Sequence, residues 1–149
     1  MGALIQEMSI QDYDEVRALW QESEGIELSE VDSRKDIARF LERNPGLSFV
    51  ARENELIVGA VLCSHDGRRG YIDQLAVRKS HRRQGIGKGL VDRCLYNLMR
   101  SGIHRWHLFV RITCPRLSQR MDGYHSPFPA KCVLFVPDSR ACAWVSVGE

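Results

Sequence analysis

The stretch spanning residues 71–110 constrains the fold most, because its pattern changes from strand to turn, helix and strand again. Residues 71–77 are rich in strand-forming side chains. Apolar residues then recur at steps of four and one over 86–99, which places them on one face of a helix. Gly102 offers a left-handed helix end, and residues 105–110 have strand composition again. Two strands joined by a helix predict a right-handed βαβ unit.

The turn that opens this helix has the features of a pyrophosphate site. Its glycines remove side chains that would keep a ligand away from the backbone. The first N–H groups of a helix are unpaired, and the helix dipole adds partial positive charge there. The turn contains Gly85, Gly87 and Gly89 together with the cationic Arg82, Arg83 and Lys88.

Two common nucleotide-binding motifs fit this turn poorly. A P-loop requires a Ser or Thr after its lysine to bind Mg²⁺, but Lys88 is followed by Gly89. A dinucleotide fingerprint requires the spacing G-x-G-x-x-G, whereas this turn has G-x-G-x-G with arginines before it. A nucleotide-binding function is therefore the weaker interpretation, and it would predict Mg²⁺-dependent binding of ATP or GTP.

The strand and turn together resemble the acyl-CoA-binding motif of the GNAT superfamily of N-acetyltransferases. Arg82, Gly85 and Gly87 fill the family pattern Gln/Arg-x-x-Gly-x-Gly/Ala, and the resemblance extends more loosely over 4–110. It implies an α/β (α+β) fold with a mixed, mainly antiparallel central sheet and helices on both faces. It also implies acetyl-CoA as the acyl donor.

The resemblance further implies which residues bind acetyl-CoA. The strand backbone would hydrogen-bond the pantetheine arm and polarise the thioester carbonyl, and the glycine turn would take the pyrophosphate. The implied contacts are Leu75, Ala76, Val77, Arg82, Arg83, Gln84, Gly85, Ile86, Gly87, Lys88 and Gly89.

Acetyl transfer to an amine also requires a base that removes a proton from the ammonium. Asp73 is the candidate, because strand alternation predicts that it shares a face with Tyr71, Leu75 and Val77. A half-buried carboxylate can have a raised pKa, although a solvated or salt-bridged aspartate explains the residue as well. Tyr124 is the candidate acid that protonates the departing thiolate.

Composition is that of one globular domain spanning residues 1–149. The chain is 44% hydrophobic and 27% charged, and its net charge of +2 does not point to a nucleic-acid partner. No apolar run is long enough to span a membrane, and no signal-peptide pattern is present, so we expect a cytoplasmic protein. The five cysteines include no C-x-x-C pair, which indicates neither a metal site nor a disulfide framework. Cys63 and Cys94 lie in apolar patterns and are expected in the core.

The segment before the βαβ unit predicts a strand, two helices and two further strands. The strand covers 3–8, and a helix capped by Ser9 carries an apolar stripe and ends at Gly25. A second helix begins after Asp32 or Ser33. The predicted strands 47–52 and 56–63 form an antiparallel meander with 71–77.

These two helices allow two interpretations. Their apolar and aromatic residues are explained by core packing, while the family resemblance implies that the pair walls the acceptor pocket. The loop between them holds several acidic residues, which would favour an amine cation or simply form a solvated loop. The helix-facing residues are Tyr13, Val16, Leu19, Trp20, Ile37, Phe40 and Leu41, and the loop acids are Glu22, Glu24, Glu27 and Glu30.

The segment 111–149 departs from the family pattern. It holds four of the five prolines and three of the five cysteines, and it lacks the expected helix with Asn and an aromatic residue. Strand composition recurs at 131–136 and 141–147. If these segments leave the sheet incomplete, residues 106–110 form an exposed apolar edge that favours a homodimer.

A frameshifted or a divergent gene segment would explain this tail. The codons of Met121 and Asp122 read ATG-GA(C/T), which contains TGG, a Trp codon, one nucleotide downstream. A Gly-Trp pair would follow in that frame if the Arg120 codon ends in GG. Sequencing the gene in all frames tests the hypothesis.

Two functions remain open from the sequence. One is an N-acetyltransferase that acts on a primary amine of a small molecule or a protein. The other is an acyl-CoA-binding module, or a catalytically impaired homologue, that keeps the cofactor site without turnover.

Overall fold

The computed structural model describes residues 2–23, 26, 28–109, 132–138 and 141–146, with backbone alone from Phe109 onward. The described strands are β1 (Leu4–Glu7), β2 (Phe49–Glu53), β3 (Leu56–His65), β4 (Gly70–Val77), β5 (Trp106–Phe109), β6 (Cys132–Asp138) and β7 (Ala141–Ser146). The described helices are α1 (Tyr13–Glu22), α2 (Arg34–Arg43) and α3 (Ile86–Arg100).

The described strands form one sheet in chain order, β1 to β7. Neighbours are antiparallel from β1 to β4 and again between β6 and β7. The pairs β4–β5 and β5–β6 are parallel. The predicted mixed, mainly antiparallel sheet is confirmed, and so is the strand–helix–strand unit built from β4, α3 and β5.

Helices cover the two faces of the sheet separately. On one face the apolar stripe of α3, including Leu90 and Leu98, packs against Ile72, Trp106 and Leu108. On the other face α1 and α2 bury a second cluster around Trp20. The core thiols Cys63 and Cys94 are buried as predicted. We call the side of α1 and α2 the acceptor face, after the acceptor pocket that the family resemblance implies there.

The starts of α1 and α2 follow the capping chemistry of their sequences. Ser9 opens a short 3-10 turn rather than α1 itself, and its backbone N–H donates to the Asp12 carboxylate at 2.9 Å. At α2 the Asp36 N–H donates to the Ser33 hydroxyl at 3.3 Å, so that Ser33 rather than Asp32 is the cap.

A β-bulge interrupts β4 in its middle. Asp73 pairs with Leu62 and Ala76 pairs with Ala60, so β4 has one extra residue between these pairs. Gln74 takes the left-handed backbone conformation there, with φ of 52°. The bulge changes which side chains of β4 face each side of the sheet.

The expected exposed edge at β5 is wrong. Trp106 to Phe109 pair in parallel with Cys132 to Phe135, and they also lie beside β4. The proline-containing tail therefore supplies a strand despite its composition, because Pro137 lies at the end of β6 near its hairpin with β7. Self-association through β5 loses its structural basis.

No described helix is long and apolar enough to cross a membrane. The cytoplasmic location stays a prediction.

Candidate functional site

The N-terminus of α3 has the geometry that a pyrophosphate site requires. Gly85 caps the helix with φ of 81°, a left-handed conformation that glycine adopts without strain. The first helical bond runs from the Gly89 N–H to the Gly85 carbonyl at 2.9 Å. The N–H groups of Ile86 and Gly87 lie before that bond and point out of the helix end. They form the anion-binding end of α3.

The basic and polar residues of the turn are held in different ways. The Arg82 side chain donates through Nε to the Val77 carbonyl at 3.1 Å, which ties the turn to the end of β4. Arg83 adopts φ of 63° and is exposed, as is Gln84. Lys88 pairs with Asp92 along the helix, with Nζ and Oδ2 2.7 Å apart. Of the three predicted cations, Arg83 and Lys88 are exposed, while Arg82 is partly buried.

Gly87 and Gly89 have different surroundings. A Cβ atom added at Gly87 would lie 3.5 Å from the Val77 side chain, an ordinary contact. A Cβ at Gly89 would lie 2.8 Å from the Ile5 side chain. Because the Gly89 N–H is already bonded within the helix, Gly89 allows α3 to approach β1 and offers no open backbone donor.

The pairing of β4 with β5 covers only the first part of β4. Their pairing ends at Ile72 and Leu108, while β4 continues to Val77. Within the described residues, the β5 side of Leu75, Ala76 and Val77 therefore has no strand partner. An open strand edge can bind an extended amide chain as an added strand would. This is the place where the sequence predicts the pantetheine arm.

The predicted orientation of Asp73 is wrong because of the bulge. Leu75 and Val77 pack on the α3 face with Ile72. Asp73 pairs with Leu62, whose side chain belongs to the cluster beneath α1 and α2. Since directly paired residues share a face, Asp73 lies on the acceptor face together with Tyr71.

The Asp73 carboxyl titrates near neutral pH. Burial, as the larger cause, and the nearby Asp32 carboxylate together raise its pKa from 3.8 to about 7. None of the ion pairs among the described residues involves Asp73. These properties are those of a general base rather than of a solvated or salt-bridged aspartate.

Asp32 fastens the loop between α1 and α2 to the bulge, a role that the sequence did not reveal. Its carboxylate accepts hydrogen bonds from the Gln74 amide at 2.9 Å and the Ser29 N–H at 3.0 Å. The Asp32 carbonyl accepts from the Tyr13 hydroxyl at 2.6 Å. The Trp20 indole donates to the Gln74 carbonyl at 3.1 Å. The helical pair thus both fills the core and borders Asp73.

His107 was also missed by sequence reasoning, because its position beside β4 follows only from the parallel register. It pairs with Tyr71, and their rings stack with centroids 5.6 Å apart. Trp106 and Leu108 face α3, so His107 faces the opposite side. The stacked rings therefore form a floor on the acceptor face, two residues along β4 from Asp73.

Other predicted features lie elsewhere. Tyr124 and Gly25 are outside the described residues, as are Glu24 and Glu27 of the acidic loop. Glu22 pairs with Arg78 at 3.4 Å, so this acid is engaged at the end of β4. Among the described residues no cluster of His, Cys, Asp and Glu could hold a metal ion.

Comparison with known proteins agrees with this geometry. Residues 13–116 match the family model of the acetyltransferase (GNAT) family. An acetyltransferase of Pectobacterium atrosepticum is 35% identical over 100 residues, which cover 67% of this chain and 70% of that protein.

Solved structures share the fold. Ard1 from Thermoplasma volcanium aligns with all of both chains, with 20% identity and a TM-score of 0.76. The PaiA N-acetyltransferase from Thermoplasma acidophilum, solved in complex with coenzyme A, has 16% identity and a TM-score of 0.63. That alignment covers 91% of this chain and 80% of the other.

A mixed sheet in which β4 extends beyond its parallel partner β5, with a glycine-capped helix after β4, is the arrangement expected of a GNAT-type acyltransferase. The chain belongs to the GNAT acetyltransferase family, and its fold and relatives are those of an acyltransferase enzyme.

Proposed function

We propose that this protein transfers an acetyl group from acetyl-CoA to a primary amine of a small molecule or a protein. The observation that carries the proposal is the position of Asp73. Its carboxyl has a pKa of about 7 and lies at the bulge, directly before the open edge of β4. The anion-binding end of α3 lies at the other end of that edge.

The donor would lie along β4. The N–H groups at the start of α3 would hold the pyrophosphate, with Arg83 adding charge at the turn. The unpaired side of Leu75, Ala76 and Val77 would bond the pantetheine amides and leave the thioester beside the bulge. Backbone N–H groups there would polarise the thioester carbonyl.

The acceptor would arrive from the acceptor face. The Asp73 carboxylate takes a proton from the ammonium, and the resulting neutral amine attacks the thioester carbonyl carbon. A C–N bond forms, the C–S bond breaks, and the thiolate takes a proton as it leaves. Tyr124 remains the predicted donor of that proton. Asp32 and Asp73 together attract the cationic acceptor, because both carboxyls lie at the same end of the acceptor face.

Acetyl-CoA titration followed by an amine screen tests the proposal. Calorimetry measures binding of acetyl-CoA, and a thiol reagent then measures CoA release with each primary amine. Asp73→Asn is the catalytic control, because it keeps the size of the side chain and removes the base. Binding without turnover on any amine would instead support the alternative, an acyl-CoA-binding module.

A further inference from the structure

The chemical character of the acceptor face changes along β4 from acidic to aromatic to basic. The proposed reaction uses only the acidic end. Its bulge end is acidic, with Asp73 and Asp32. Its middle is aromatic, with Tyr71 stacked on His107. Burial, first among the causes, lowers the pKa of His107, so that the ring is neutral at physiological pH. A neutral aromatic floor suits the apolar part of a ligand.

The far end of this floor is basic. Arg68 and Arg69 lie in the turn before β4, and this turn is held by backbone N–H groups of both arginines, each 2.8 Å from the Asp66 carboxylate. The Tyr71 hydroxyl donates to the same carboxylate at 3.0 Å, which joins the turn to the floor. Asp66 cancels only one of the two positive charges.

Arg69 acts on both rings of the floor. Its positive charge lowers the pKa of His107 beyond the effect of burial. It also opposes the rise in the Tyr71 pKa that the hydrogen bond to Asp66 mainly causes. No ion pair involves its half-buried guanidinium within the part of the chain that the structure describes. This guanidinium therefore lies near the floor, and its positive charge is available to bind an anion.

We propose that the acceptor is an amino carboxylate, held with its amine at Asp73, its carbon chain over the Tyr71 ring that stacks on the buried His107, and its carboxylate at Arg69. The inference rests on the proposed acetyl transfer and adds the chemical class of the acceptor. A guanidinium binds a carboxylate through parallel N–H bonds, which makes Arg69 the specificity-determining residue.

The spacing of the two ends sets the length of the acceptor. Four residues of strand separate Asp73 from Arg69, or roughly 13 Å between their Cα atoms. A carboxylate and an amine that each hydrogen-bond to a side chain at these positions lie closer together than the Cα atoms, so we expect an acceptor with roughly four to six carbons between its amine and its carboxylate. A diamine would place its second ammonium against the arginines and would be disfavoured.

Matched acceptors test the proposal. The rate of CoA release is measured with γ-aminobutyrate, δ-aminovalerate and ε-aminocaproate, with the primary amide of each, and with diamines of equal length. We expect kcat/KM for an acid to exceed that for its amide by about tenfold to a hundredfold. Arg69→Gln should bring this ratio close to one, mainly by lowering kcat/KM for the acid. The turn survives this change because its bonds to Asp66 come from the backbone.

Arg100→Gln is the matched control, because Arg100 is exposed at the end of α3 and rests on the Tyr96 ring. It should leave both the ratio and acetyl-CoA binding unchanged. Amides or diamines that react as fast as the acids would overturn the inference and leave the proposed acetyl transfer standing. A ratio that persists in Arg69→Gln would overturn the assignment of Arg69. Absence of turnover on every amine, with acetyl-CoA bound, would contradict the proposed function itself.

Discussion

At the scale of single residues, the pKa of Asp73 is raised because burial and then the neighbouring Asp32 carboxylate disfavour its charged form. Asp66, by contrast, is exposed and has a pKa lowered to about 2, first by the N–H of Arg69 and then by that of Arg68. The two carboxyls near the aromatic floor therefore titrate at very different pH. Asp73 can act as a base near neutral pH, while Asp66 stays negatively charged.

Asp73→Asn should lower turnover at neutral pH by roughly a hundredfold to ten-thousandfold, because a positioned base contributes about that much to the rate. The affinity for acetyl-CoA should stay unchanged, since Asp73 lies on the acceptor face. Steady-state kinetics and calorimetry measure the two quantities. Wild-type turnover in this variant would assign Asp73 to structure alone.

The rate should rise with pH through about 7 and then level off, because the reaction requires the Asp73 carboxylate. Asp32→Asn removes a negative charge beside Asp73, so the rising limb should move to lower pH. A pH–rate profile of kcat/KM for both proteins measures the shift. If Asp32→Asn leaves the limb in place, Asp32 does not tune this base.

The same pKa has a consequence for stability. Because the folded-state value is raised from 3.8 to about 7, the protonated form favours folding, and this contribution is lost as pH rises through 7. Asp73→Asn should therefore gain stability relative to wild type between pH 4 and 7, by an amount on the order of 1–3 kcal/mol. Urea unfolding at several pH values measures the difference. A constant difference across that range would contradict the raised pKa.

At the scale of elements, two glycines at the start of α3 have different roles: Gly87 leaves the backbone donors open, and Gly89 lets α3 approach β1. Gly87→Val should weaken acetyl-CoA binding at least tenfold, about 1.4 kcal/mol, because the side chain would cover backbone donors. The fold should persist, since a Cβ at Gly87 meets Val77 at an ordinary distance. Calorimetry with acetyl-CoA and circular dichroism measure the two effects.

Gly89→Ala is the control for this prediction. Its Cβ would meet the tip of the Ile5 side chain, which can move, so stability should change within about 1 kcal/mol and binding should stay normal. Normal binding by Gly87→Val would mean that the pyrophosphate lies elsewhere.

The elements were largely predictable, and the site was predictable only where it is made of backbone. The period of α3, the left-handed Gly102 after its end and the β2–β3–β4 meander are local properties of the sequence, and all three are confirmed. The face of Asp73 was not predictable, because one extra residue at Gln74 reverses strand alternation without a Gly or Pro to signal it. The neighbours Asp32 and His107 come from distant segments, through side-chain bonds and a parallel register that sequence periodicity does not encode.

At the scale of the whole molecule, the sheet is continuous through β5, and its described free edges are β1 and β7. Acetyl-CoA at a hundred times its Kd should add about 2.7 kcal/mol to the free energy of unfolding. For a chain of this length the melting temperature should rise by roughly 5–10 °C. A thermal-shift series with acetyl-CoA measures it, with free acetate as the control. No shift at saturating acetyl-CoA would count against the cofactor assignment.

The homodimer expected from the sequence depended on an open β5, and β6 covers that edge. The homodimer stays a prediction, and the short edge strand β1 is another surface through which it could form. Light scattering over a concentration series measures the oligomeric state. A dimer that is lost when a proline replaces a residue of β1 would locate the contact there.

The bulge in β4 has a consequence for how such an enzyme can change over evolutionary time. In the proposed reaction, the donor side uses main-chain atoms of Leu75 to Val77, which nearly any sequence can supply, while the acceptor side uses the side chains of Tyr71, Asp73 and His107. A mutation at one of these three side chains would change which amine is modified, while acetyl-CoA would remain the donor. New acceptor preferences can therefore be acquired one substitution at a time, and laboratory selection for a new amine should concentrate its changes at Tyr71, His107 and Arg69.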